Sequence, residues 1–140
     1  MVGTVGRIRS ALAGPDGTLP SAFAPCVYDR AEVYVARFEI LHAIGWGIED
    51  VKKGYSVRIS MRDPTLVSSL LSTLRRKASV EPCGERGCSK GDLRFVAEFH
   101  GESPCSGELF VADFSTVANV TAGRRGRIDK AFRDRFTNWT

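Results

Sequence analysis

Four cysteines, two histidines and a cluster of arginines are the side chains of this 140-residue sequence most suited to chemistry, and their spacing limits what that chemistry is. A structural zinc site wants four thiolate or imidazole ligands, usually arranged as two close-spaced pairs. Cys83-Gly-Glu-Arg-Gly-Cys88 supplies one pair, but Cys26, Cys105, His42 and His100 stand apart from it and from one another. The expectation is therefore no metal and no cofactor. A disulfide fits the spacing better. A bridge among Cys83, Cys88 and Cys105, with Cys26 as the fourth candidate, would pin the loops at one end of a sheet and add about 2–4 kcal/mol. Bridged cysteines would imply a secreted or periplasmic protein, and reduced ones a cytoplasmic protein. The N-terminal stretch Met1–Arg9 lacks the apolar core of a signal peptide, so the compartment stays open.

Nucleophilic catalysis needs a thiol with a base in hydrogen-bond reach and a group that orients the base. His100 lies five residues before Cys105, with Glu98 and Asp113 not far along the chain. A small thiol hydrolase built on His100 and Cys105 or Cys88 is thus conceivable, although no nucleophile-elbow pattern accompanies it. The arginines suggest a different chemistry. From Ala118 to the end the chain carries six basic and two acidic side chains, so this segment holds the whole formal charge of +4. Gly123-Arg-Arg-Gly126 resembles a basic turn before a helix, and Arg124, Arg125, Arg127, Arg133 and Arg135 are the candidate anion-binding residues. Such asymmetry can mark an anionic partner, nucleic acid included, or merely a solvated face.

These groups must be positioned by ordinary globular elements. Apolar residues make up 43% and charged residues 26% of the chain, which excludes collagenous, coiled-coil and wholly disordered classes. No stretch approaches the ~20 apolar residues of a membrane span. Residues 1–27, punctuated by Gly14-Pro15-Asp16-Gly17, Pro20 and Pro25, read as a loop-rich arm; a single domain over 28–140 follows.

Within that domain the pattern predicts α+β: a small antiparallel sheet with helices packed on one face. Strands are expected at about 55–61, 93–100 and 108–114, from the alternation of Tyr55, Val57, Ile59 and Met61 and of Leu93, Phe95, Ala97 and Phe99. The last two should form a hairpin across a turn-like linker. Asp63-Pro64 starts a helix over 63–77 with Val67, Leu70, Leu71 and Leu74 on its apolar stripe. A basic helix over 127–139 places Ile128, Phe132, Phe136 and Trp139 together. Residues 30–44 satisfy a helical pattern, with Asp29 and Glu32 as capping signals and Gly45 as terminator; strand alternation through Tyr34, Ala36 and Phe38 is the competing pattern. Two sequons, Asn119-Val120-Thr121 and Asn138-Trp139-Thr140, would matter in a eukaryotic secretory pathway.

With each catalytic template incomplete, the expected function is a non-catalytic protein-interaction module, of the kind that inhibitors and immunity-type proteins represent by size and class. Trp46, between Gly45 and Gly47, is the candidate partner-binding anchor, against a bland reading as a packed core indole. An anion or nucleic-acid binder is the alternative.

Overall fold

The computed structural model describes residues 27–37, 44–85, 87–102 and 107–137, with backbone alone at 136 and 137. In chain order it has β1 (Tyr28–Val35), α1 (Ile48–Gly54), β2 (Val57–Met61), α2 (Pro64–Lys77), β3 (Glu81–Pro82), β4 (Phe95–Gly101), β5 (Glu108–Ala112), β6 (Thr116–Asn119), β7 (Arg124–Arg127) and α3 (Lys130–Thr137). The seven strands form one open antiparallel sheet in the order β2-β1-β4-β5-β6-β7-β3. The α+β class and the hairpin of β4 with β5 are as the sequence predicts. Residues 1–26, including Cys26, and His42, Cys105, Asn138 and Trp139 lie outside the described residues.

α2 forms for the local reasons its sequence displays. The Asp63 carboxylate accepts from the Thr65 N–H at 2.8 Å and the Leu66 N–H at 3.4 Å, Pro64 begins the helix, and three basic residues face the C-terminal dipole. Its stripe of Val67, Leu70, Leu71 and Leu74 packs on one sheet face against Val33, Val35, Phe95, Phe99, Phe110 and Val117. α3 joins the same layer through Ile128 and Phe132, and its first turn is held by the Asp129 carboxylate, which accepts from the Phe132 N–H at 2.8 Å. At the C-terminal end of α2, Arg75 forks onto Glu108 and Asn119 donates to the same carboxylate. Asn119 is buried and its other amide atom accepts from the Ala122 N–H, so this sequon is closed to glycosylation in the folded chain.

Three expectations are corrected. Residues 30–35 of the anticipated 30–44 helix belong to β1, a strand lying between β2 and β4. Its capping signals serve other partners: Asp29 pairs with Arg30, and Glu32 reaches across the sheet to Arg58 and Ser60. Gly123-Arg-Arg-Gly126 is not a loose turn, because 124–127 form β7; the final helix accordingly begins at Lys130 rather than 127. The helices do not all share a face either. The seven-residue α1 lies on the side opposite α2 and α3, where Val51, Trp46, Ile48 and Leu93 cover Tyr34, Val96, Val111 and Ala118 in a second, smaller core.

β7 can approach α2 only because residue 126 has no side chain. A Cβ at Gly126 would run into the Lys77 carbonyl oxygen and press on Val80. Gly126→Ala should therefore cost about 2–3 kcal/mol, while Gly84→Ala, with nothing near its Cβ direction, should stay within about 0.5 kcal/mol. Urea denaturation of both variants checks this, and equal midpoints would refute the close-packing account.

Candidate functional site

On the α1 side of the sheet, strand alternation brings together side chains from β2, β1 and β4. Tyr34 stands beside Arg58 and Val96, and Glu32 beside Ser60 and Glu98, in the paired register. Tyr34 is the hub. Its ring is 7% exposed, with the Arg58 guanidinium 5.2 Å and the Lys52 ammonium 5.6 Å from its centroid. Tyr55, 39% exposed, tilts against it at 5.7 Å. The two carboxylates oppose each other across β1 and β4, an unfavourable arrangement unless each is neutralised. Arg58 donates to Glu32 at 3.1 Å and Ser60 at 2.7 Å, while Lys52 from α1 meets Glu98 at 2.8 Å. The Lys52 ammonium is accordingly held above its ordinary value, chiefly by that hydrogen bond. Burial by itself would raise the Glu32 carboxyl. The bonds from Ser60 and Arg58, with the charges of Arg58 and Arg62, outweigh it and hold Glu32 below 4.5.

At the other end of this sheet side, two cavities of about 220 and 430 Å³ adjoin through Thr116 and Arg125, which line both. The smaller has an apolar floor of Leu93, Val111 and Ala118 and is walled by Gly84, Gly87 and Cys88. That wall is stapled by a Cys83–Cys88 disulfide, and the Cys83 N–H bonds to the Gly123 carbonyl at 2.9 Å. The larger cavity opens at the β7 end and is lined by Val80, Glu81, Ser115, Arg125 and Arg127.

The arginines expected to form one patch are divided by the alternation of β7. Arg125 pairs in register with Ala118 and Arg127 with Thr116, which puts both on the cavity side. Arg124 donates to the Ser79 carbonyl at 3.0 Å. Arg133 lies over the Phe114 ring at 4.8 Å and donates to its carbonyl, and Arg135 is exposed on α3. Trp46 is half-buried; its ring lies so close to α1 that a Cβ at Gly54 would sit 2.5 Å from it. Its backbone N–H donates to Asp92, which also pairs with the fully buried Arg94. The thiol chemistry is corrected at one residue: bonded Cys88 is neither nucleophile nor zinc ligand, and the same holds for Cys83. His100 is half-buried, 4.0 Å from a Glu98 that Lys52 already holds. Among the described residues, no three His, Cys, Asp or Glu side chains converge on a possible metal position.

The Tyr34 cluster escaped the sequence reading because four elements contribute to it and no two of its members are spaced as a motif. Alternation in 28–35 was the available signal, and it was masked by capping residues.

No family model, no curated protein and no solved structure matches this chain. The functional argument therefore rests on the arrangement of its own side chains.

Two measurements test this geometry. Cys83→Ser should lower stability by about 2 kcal/mol, the loop-closure value for so short a ring, and unreduced intact mass should fall short of the reduced mass by two hydrogens for this bridge. An unreduced mass with no deficit would remove the staple. For Glu32, a carboxyl lowered on folding contributes stability that is fully present above 4.5 and lost as pH falls through its folded value. Glu32→Gln should thus flatten the loss of stability between about pH 5 and pH 3; parallel acid limbs for parent and variant would show that the pair contributes nothing.

Proposed function

We propose that this chain is a non-catalytic protein-interaction module that docks an acidic partner protein through the β2–β1–β4 strip of its α1 side. One observation supports this most directly. Tyr55 and Arg58 are presented to solvent on a sheet surface, yet both are already fixed against the buried ring of Tyr34. Tyrosine and arginine are enriched among residues that dominate binding energy. Ordering a free side chain on association costs about 0.5–1.5 kcal/mol, and here that ordering precedes binding.

The sign of the partner follows from which charges are satisfied. Both carboxylates of the strip, Glu32 and Glu98, have cations against them. Arg62 adds its positive charge beside Glu32, and Arg30, paired with its neighbour Asp29, stands exposed on the same strand side. An acidic surface is attracted to such a strip without having to displace a carboxylate. An inhibitor or immunity-type protein that neutralises its target by covering it would use a surface of this kind. The bland reading, ion pairs that merely decorate a sheet, explains the pairs but not an exposed Tyr55 stacked beside them.

Tyr55→Ala and Arg58→Glu should each weaken binding to the partner captured from the native host at least tenfold, about 1.4 kcal/mol. Leu66→Ala, on the exposed side of α2, should leave it unchanged. Titration calorimetry with the purified partner reads the affinities. Retention of full affinity by both strip variants would overturn the proposed surface, as would a partner with no acidic patch.

A further inference from the structure

We propose that the two adjoining cavities form one groove that binds a small organic anion, a molecule with an apolar portion and a single carboxylate or phosphate group. The groove shares no residue with the Tyr34 cluster and does not depend on the docking surface proposed above.

Its polarity is what identifies the ligand class. One end is floored by Leu93, Val111 and Ala118 and closed by the disulfide-bonded wall, which suits a ring or short alkyl group. Glu85, Lys90 and Asp113 also line this end, so charges of both signs stand around an apolar floor. The Asp113 carboxylate is tied to the Ser115 and Thr116 N–H groups at 2.8 Å each, which fixes it as part of the wall. At the other end, Arg125 and Arg127 project from the same side of β7. Ser115 and Thr116 also line this end, with the Ser115 hydroxyl turned to the Asp113 carboxylate at 3.4 Å. The groove falls in the size range of small-molecule sites, which are mostly apolar with a few convergent polar groups.

Arg125 already demonstrates how an oxyanion sits here. Glu81 Oε2 accepts from its Nε at 2.9 Å and lies 2.9 Å from its Nη2, so this edge of the guanidinium already holds a carboxylate oxygen. Glu81 belongs to the two-residue edge strand β3 and its side chain is 53% exposed, so it can swing into solvent. The Arg127 side chain has no hydrogen bond or ion pair among the described residues, its main chain being paired with Thr116. An incoming anion would meet Arg127 first, and take the Arg125 guanidinium as Glu81 leaves.

The test titrates the full chain with phenyl phosphate, phenylacetate, inorganic phosphate and benzyl alcohol, following backbone amide shifts by NMR. Phenyl phosphate or phenylacetate should bind at least tenfold more tightly than inorganic phosphate or benzyl alcohol, since only they fill both ends; which of the two is preferred tells phosphate from carboxylate. Shifts should map to Leu93, Ala118 and β7. Arg127→Ala should weaken binding at least tenfold with an unchanged urea midpoint, and Glu81→Gln should tighten it several-fold by freeing Arg125. Binding unaffected by Arg127→Ala, equal affinity for inorganic and phenyl phosphate, or no binding at millimolar probe would each overturn the site. An oligonucleotide that binds the β7 arginines more tightly as it lengthens, with phenyl phosphate excluded, would replace it by a nucleic-acid surface. These outcomes are independent of partner binding at Tyr55.

Discussion

The pairing of β1 with β4 is the constraint from which the remainder of the architecture follows. Val33 lies opposite Ala97 and Tyr34 opposite Val96, so two distant parts of the chain must meet before the β1–β2 pair joins the consecutive strands β4 to β7. The entropy of closing so long a loop grows slowly with its length, but it must be offset by burial. Both strands achieve this on both sides. Val33, Val35, Phe95 and Phe99 enter the larger core, while Tyr34 and Val96 enter the smaller one. That double burial requires a second layer, which α1, Trp46 and the disulfide-bonded loop provide. The second layer is too small to cover the whole sheet. The exposed strip at β2–β1–β4 and the groove beside β7 are what it leaves on either side.

The same double burial decides what could be read beforehand. α2 and the β4–β5 hairpin were legible because their signals are local: an Asp-Pro start, a four-residue apolar stripe, alternation bounded by turn residues. β1 was not, because a strand apolar on both faces loses clean alternation, and its acidic residues imitate helix caps while answering to cations across the sheet. β7 resisted for another reason. Arg-Arg-Gly-Arg has poor strand propensity, and it is held in the sheet by pairing with β6 and by the fit of Gly126 beneath α2. α1, at seven residues, is too short to declare a period. For the sites, residue types were legible and geometry was not. Arg125 and Arg127 were identifiable as anion candidates, yet only the register shows that they separate from Arg124 and face a groove.

Ion pairs in this molecule divide by what surrounds them. Arg75 and Glu108 form a forked pair in which the carboxylate is 9% exposed and Asn119 supplies a further hydrogen bond. Tyr28 lies against this group, and its phenol is raised by burial and by the neighbouring Glu108 charge. Such a pair fixes the end of α2 over β5, and removing one partner would strand a desolvated charge. Arg94 and Asp92 act similarly between the two layers, with the arginine fully buried. The pairs of the strip differ, since Arg58 remains 47% exposed after satisfying Glu32. Exposed pairs contribute little to stability, typically 0–1 kcal/mol. Folding alone therefore gives weak reason for concentrating them around one aromatic ring.

Local geometry also divides the basic side chains among separate places. Were all five candidate arginines on one surface, the chain would carry a single basic field of the sort that binds polyanions without discrimination. β7 prevents this by sending Arg124 to the Ser79 carbonyl and Arg125 and Arg127 into the groove, while α3 carries Arg133 to the Phe114 ring. What remains at each place is a pair or trio of cations with fixed neighbours: Tyr55 and Tyr34 at the strip, an apolar floor at the groove. At about physiological ionic strength charges are screened beyond ~8 Å. Selectivity at either place then depends on the apolar surface within reach of the cations, and that surface differs between the two.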